Sequence, residues 1–195
     1  MALSSRLTHI QQNIMITPKE TLLLVIDVQG KLAATVFQSD RLIRNVSKLI
    51  RSCGLLGVPA IFTEQYPKGL GCTVDGLREL FGDETPFEKL SFSCCGNEEF
   101  MKRLRSLGRN DILVVGMETH VCVYQTCVEL LEFGYNVHLV TDAVSSRSEE
   151  NRSLGIRCIE RAGAVPTSTE MAIFELLRVA EGDTFKAISK IIKEE

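Results

Sequence analysis

The sequence predicts an α/β fold built on a parallel sheet covered by helices on both faces, and three observations predict it. Apolar runs without alternation, TLLLVID at 21–27 and ILVV at 112–115, read as strands buried on both sides. Segments with helical apolar spacing stand between such runs. The two patterns alternate along the chain instead of falling into blocks, as βαβ units do. With 195 residues, 45% of them hydrophobic, the chain is long enough for one well-buried domain and short for two.

Each element has its own justification. The run Thr21–Asp27 is a central strand that delivers an acid at its carboxyl end. Residues 41–56 space Leu42, Val46, Leu49, Ile50 and Cys53 as a crossover helix, stopped by Gly57. Val58–Thr63 is the second strand, with Pro59 tolerated at its start. Glu64–Pro86, rich in Gly and Pro with little periodicity, reads as a long loop, and loops of that length are usually functional. Phe87–Phe92 alternates briefly and reads as a short strand presenting Lys89. Asn97 caps a helix with Phe100, Leu104 and Leu107 on one face, ended by Gly108. After the strand Ile112–Val115 and the turn Gly116–His120, a helix carries Cys122 in its first turn, with a core stripe of Tyr124, Cys127, Val128 and Leu131. Asn136–Thr141 and Ala162–Val165 are the last strands. Ser146 with Glu149 and Thr167 with Glu170 have capping-box spacing, and Asp183 is placed to cap a final helix with Phe185, Ile188 and Ile191 on one face. Residues 18–195 form the domain, and 1–17 read as an N-terminal arm, with organelle targeting as the alternative for that segment.

Composition narrows the function. A net charge of -3 offers no basic footprint for nucleic acid and no polybasic membrane anchor, so a small molecule is the expected partner. No apolar run approaches the roughly 20 residues that span a bilayer, and no signal core follows the N-terminus, which points to a cytoplasmic protein. Seven cysteines at 53, 72, 94, 95, 122, 127 and 158 are an odd number without C-x2-C spacing, so neither a disulfide framework nor a zinc site is indicated.

The chemistry gathers at the carboxyl ends of the strands, where open parallel sheets bind ligands. Asp27, the loop after Thr63, Lys89 and Cys122 all fall at that edge. A cysteine at a helix start is a candidate nucleophile, because the free N–H groups and helix dipole favour its thiolate. On that basis it should react with iodoacetamide well below pH 8.5, about the ordinary thiol value. A carboxylate can take the thiol proton and a lysine can orient the carboxylate. Taken singly, each has a plainer reading: Cys122 as a small buried hydrophobe, Asp27 as a helix cap, Lys89 as a solvated charge.

Three segments, VIDVQ (25–29), EKLSFSC (88–94) and VVGMETHVCVYQT (114–126), resemble in order and spacing the isochorismatase-like cysteine hydrolases. That superfamily includes nicotinamidases and N-carbamoylsarcosine amidohydrolases. The resemblance runs from about Pro18 to Glu195, and TEQYPKGLG (63–71) with the tail FKAISKIIKEE resembles in particular the isochorismatase-domain-containing proteins. It implies a three-layer α/β/α sandwich with a six-stranded parallel, Rossmann-like sheet, commonly a homo-oligomer. It implies a catalytic triad of Asp27, Lys89 and Cys122, and an oxyanion hole from the amides of Glu118 and Cys122, with a cis peptide between Met117 and Glu118. Gln29, Gln65, Tyr66 and Thr119 are the substrate-pocket candidates, and no cofactor is implied.

The departures are as informative. Where nicotinamidases carry a metal-binding Asp-x-His, this chain has Glu64, Gln65 and Tyr66, and its three histidines, His9, His120 and His138, cannot build a metal cage. His120 lies two residues from Cys122 and reads as a pocket or cap residue, and His138 as structural. True isochorismatases cleave a vinyl ether and lack the cysteine, which argues against that reaction here. The expected function is a metal-independent hydrolase of a small amide or related C–N bond through a thioester. The alternative is a catalytically silent binding or regulatory domain of the same fold. A nicotinamide-dependent oxidoreductase is disfavoured because DVQGKLAA, after the first strand, has no G-x-G-x-x-G.

Overall fold

In the computed structural model, which describes residues 15–194, the chain forms one six-stranded sheet in the order β3-β2-β1-β4-β5-β6, with every pair parallel. The strands are β1 (Thr21–Ile26), β2 (Ala60–Gln65), β3 (Phe87–Lys89), β4 (Asp111–Met117), β5 (Asn136–Ser145) and β6 (Val165–Thr167). Successive side chains of a strand point to opposite faces, so β1 feeds two cores. Leu23 and Val25 join Leu113 and Val140 beneath Leu42, Val46, Ile173 and Ile188 of α1 (Ser39–Leu55), α5 (Thr169–Leu177) and α6 (Gly182–Ile192). Leu22, Leu24 and Ile26 join Ile112 and Val114 against Phe100, Leu104, Cys127, Leu130 and Ile159 of α2 (Glu98–Leu107), α3 (Tyr124–Glu132) and α4 (Glu149–Ala162). All six residues of β1 and all seven of β4 are buried, the physical reason their sequences show no alternation. Each large apolar side chain so buried contributes about 1.5–3 kcal/mol.

The order of strands sets the site. β1 leads to β2 on one side and lies against β4 on the other, so crossovers leave in opposite directions and open a crevice at the carboxyl ends of β1 and β4. Gly116 lets β4 close against β1 there. Its φ is +117°, and a Cβ would run into the Ile26 carbonyl oxygen and lie 2.7 Å from the Ile26 nitrogen.

Several boundaries differ from expectation. α1 begins at Ser39, β2 runs from Ala60 to Gln65, and β3 ends at Lys89. Asn97 caps α2 as expected, accepting the Phe100 N–H at 2.9 Å. The caps of α4 and α5 are Ser148 and Ser168, not Ser146 and Thr167, and the cap position of α6 is Glu181, which leaves Asp183 inside the helix. These shifts go with the strand ends: β5 continues to Ser145 and β6 starts only at Val165. The stretch Glu64–Pro86 is not a structureless loop but holds short helices at Pro67–Leu70 and Asp75–Arg78.

One displacement bears on the site. Thr119–Val123 is a π-helical turn in which the Val123 N–H reaches the Glu118 carbonyl five residues back, at 3.2 Å. A wider turn holds one extra residue and rotates the helix that continues from it. The buried stripe of α3 is accordingly Thr126, Cys127 and Leu130 with Val123 ahead of it, while Tyr124 faces outward. Ile16 is buried and its N–H donates to Glu175 at 2.8 Å, whereas residues 1–14, where most of the proposed arm and His9 fall, lie outside the described residues.

Candidate active site

The end of β1 places Asp27 at φ +51°, a left-handed conformation that Asp tolerates better than most residues. Its carboxylate is fully buried and held by two neighbouring strands. Thr63 of β2 donates its hydroxyl to Oδ1 at 2.7 Å, and Lys89 of β3 donates Nζ to Oδ2 at 2.7 Å. Lys89 is no solvated surface charge: it is 4% exposed, and it also donates to Gln65 Oε1 at 2.8 Å and the Phe92 carbonyl at 3.0 Å. Burial works against its charge, but the carboxylate of Asp27 leads the contributions that outweigh this, so its pKa is raised.

Cys122 lies in the π-helical turn, 8% exposed, and faces this ion pair. Its thiol is pushed up to about 12, first by burial and then by the negative charge of Asp27, with Lys89 pulling the other way. That reverses the expectation of a low-pKa thiolate. The positive charge nearby is engaged with Asp27, and the carboxylate favours the protonated sulfur. Iodoacetamide labelling of Cys122 is therefore expected to rise steadily with pH and still be climbing at about pH 10, where an ordinary thiol has levelled off. A plateau below about pH 8.5 in a mass-spectrometric time course would show that a preformed thiolate exists after all.

Contacts made by Thr63, Cys94 and Arg147 were not legible in the sequence. Thr63 ties Asp27 to β2, and the buried Cys94 thiol points to the Thr63 hydroxyl at 3.8 Å while its N–H donates to Thr126 Oγ1 at 3.0 Å. Glu118, before the turn, accepts from the Arg147 backbone N–H at 3.2 Å and from Arg147 Nε at 3.1 and 3.2 Å. The peptide between Met117 and Glu118 is cis.

A model of the isochorismatase domain matches residues 21–171. The chain belongs to the isochorismatase family. Isochorismatase family protein 1B of Dictyostelium discoideum is 39% identical over 92% of this chain and 89% of its own length. Among solved structures, MAR1 ribonuclease from Caenorhabditis elegans is 40% identical with a TM-score of 0.86, covering 92% of this chain and 93% of that one. YcaC from Pseudomonas aeruginosa, solved with hexane-2,5-diol and covalent acrylamide, is 26% identical with a TM-score of 0.85, covering 96% and 93%.

Within this isochorismatase-family hydrolase fold the four pocket candidates divide. Gln29 is fully buried, and its amide is engaged: Oε1 accepts the Gln65 N–H at 2.8 Å, and Nε2 donates to the carbonyls of Gln65 at 3.0 Å and Gly71 at 2.5 Å. It clamps the segment after β2 in place. Gln65 bridges Lys89 to the Leu90 carbonyl, which its Nε2 meets at 2.9 Å. Tyr66 is half exposed, and the Thr119 hydroxyl is buried with no hydrogen-bond partner among the described residues. His120 Nδ1 lies 3.0 Å from Ser146 Oγ, and His138 is buried with burial lowering its pKa. The Glu64 carboxylate accepts from Thr73 N at 2.7 Å and Thr73 Oγ1 at 2.8 Å. Among the described residues no three His, Cys, Asp or Glu side chains are grouped to hold a metal ion, and no helix is long and apolar enough to cross a membrane.

Proposed function

We propose that the protein is a metal-independent cysteine hydrolase of small amides or related C–N bonds. The observation that carries this reading is the buried Asp27–Lys89 ion pair, 2.7 Å long, set against the thiol of Cys122 at the sheet's switch point. Cys122 Sγ attacks the carbonyl carbon as Asp27 takes the thiol proton. The carbonyl oxygen, now negative, is received by the amides of Glu118 and Cys122. The C–N bond then breaks, and the amine leaves with the proton from Asp27. Asp27 next deprotonates a water that attacks the thioester, the S–C bond breaks, and the acid departs while the sulfur regains its proton. A thiol that is neutral at rest suits this sequence, because its charge forms only as the proton is handed over. Glu64 Oε1 is committed to Thr73, and no set of metal ligands stands beside it among the described residues, which supports the metal-independent form. A homo-oligomer is part of the same reading, and the exposed Leu90 and Phe92 after β3 are compatible with it.

Intact-mass measurement after incubation with a panel of small amides and with acrylamide, the group bound covalently in the YcaC structure, tests this. An adduct located on Cys122 by peptide mapping, and absent in Cys122→Ala, is expected, while the exposed Cys72 takes the reagent in both. Hydrolysis retained by Cys122→Ala would remove the nucleophile. Ribonuclease activity, the name carried by the C. elegans structure, makes RNA a useful second substrate. The amide reading expects no RNA cleavage that depends on Cys122.

A further inference from the structure

We infer that Arg147 is a positioning residue for the oxyanion step: it holds and neutralises the carboxylate of Glu118, whose own backbone amide is to receive the substrate oxygen. The inference rests on the acyl-transfer reading above. Glu118 is an awkward residue at such a place, since a carboxylate beside a developing negative charge repels it. Its carbonyl is pinned by the N–H groups of Val121 at 3.0 Å and Val123 at 3.2 Å, and its side chain is only 11% exposed. The chain leaving β5 supplies the balancing charge. Met117 and Ser145 are register partners where β4 and β5 end, so Arg147 emerges beside the turn. There it engages the carboxylate through both its main-chain N–H and its Nε. Two donors from one residue fix where the Glu118 side chain points. Arg147 itself is 64% exposed, and an ion pair so open to water contributes little to folding. Its use is local, at the turn it braces.

Two thiol reagents separate this role from a merely structural one. When Cys122 adds to acrylamide, the S–C bond forms at the terminal vinyl carbon and the displaced electron pair places negative charge on the amide oxygen. The proton passes from the thiol through Asp27 to the α-carbon, and nothing leaves. With iodoacetamide, the S–C bond forms as the C–I bond breaks and iodide departs with the electrons, so the amide oxygen gains no charge. Both reactions need the thiol proton removed, and only the first needs the oxyanion held. Arg147→Met is expected to slow acrylamide labelling of Cys122 by about tenfold, the effect of one unbalanced charge at close range, and to leave iodoacetamide labelling unchanged. Adding Glu118→Gln to that variant removes the unbalanced carboxylate and is expected to restore most of the acrylamide rate. Wild-type acrylamide rates in Arg147→Met, equal slowing with both reagents, or a double variant as slow as the single would each overturn the inference. Failure of acrylamide to label Cys122 in the unmodified protein would instead sink the acyl-transfer reading and, with it, this role.

Discussion

Replacing Asp27 by Asn is expected to slow acylation of Cys122 by about 10²–10⁴-fold while leaving the protein folded. Asn is among the few residues that accept the left-handed backbone found at position 27, where φ is +51°. Its amide can keep the oxygen toward Lys89, and the Thr63 hydroxyl can turn to accept from the amide nitrogen, so both contacts survive in altered form. What is lost is the ability to take a proton. Because the Cys122 thiol is pushed up to about 12, it does not ionise on its own near neutrality, and without the base the sulfur stays protonated. Small-amide hydrolysis together with peptide-mapped acrylamide labelling of Cys122, which needs the same proton removed, beside a thermal melt, reads both halves of the expectation. A wild-type labelling rate would reduce Asp27 to an organiser of the strand end.

Lys89→Met is expected to destabilise the fold by about 3–5 kcal/mol, more than any exposed ion pair of the chain could account for. Asp27 and Lys89 are both buried, and the ammonium also meets Gln65 and the Phe92 carbonyl, so removing it orphans several acceptors together with one charge. Methionine matches the shape of the lysine stem and leaves the packing nearly intact, so the loss reports the uncompensated carboxylate. Denaturant unfolding of Lys89→Met and of Lys89→Met with Asp27→Asn decides it. The double variant carries no orphaned charge and is expected to recover much of the stability. A single variant within about 1 kcal/mol of wild type would show that the pair is not holding this edge together.

The amino-acid sequence by itself determined the class of fold and the edge where chemistry gathers. Strands buried on both faces must be apolar throughout, so Thr21–Ile26 and Ile112–Val115 announced themselves, and an acid or a cysteine just beyond such a run falls at its carboxyl end. A brief alternation, of which only Phe87–Lys89 is strand, placed Lys89 at that edge, and the resemblance joined it to Asp27 and Cys122 as a triad. Tertiary structure decided the rest. Thr63 lies 36 residues from Asp27 and Arg147 lies 29 from Glu118, and only the pairing of β1 with β2 and of β4 with β5 brings them together. The caps moved because strand length depends on the partner strand, and the α3 stripe moved by one residue because a π-helical turn precedes it. The state of the Cys122 thiol reversed for the same kind of reason. Local sequence shows a helix start, which favours a thiolate, but burial and the charge of Asp27, a residue 95 positions away, act on the sulfur more strongly and keep its proton in place.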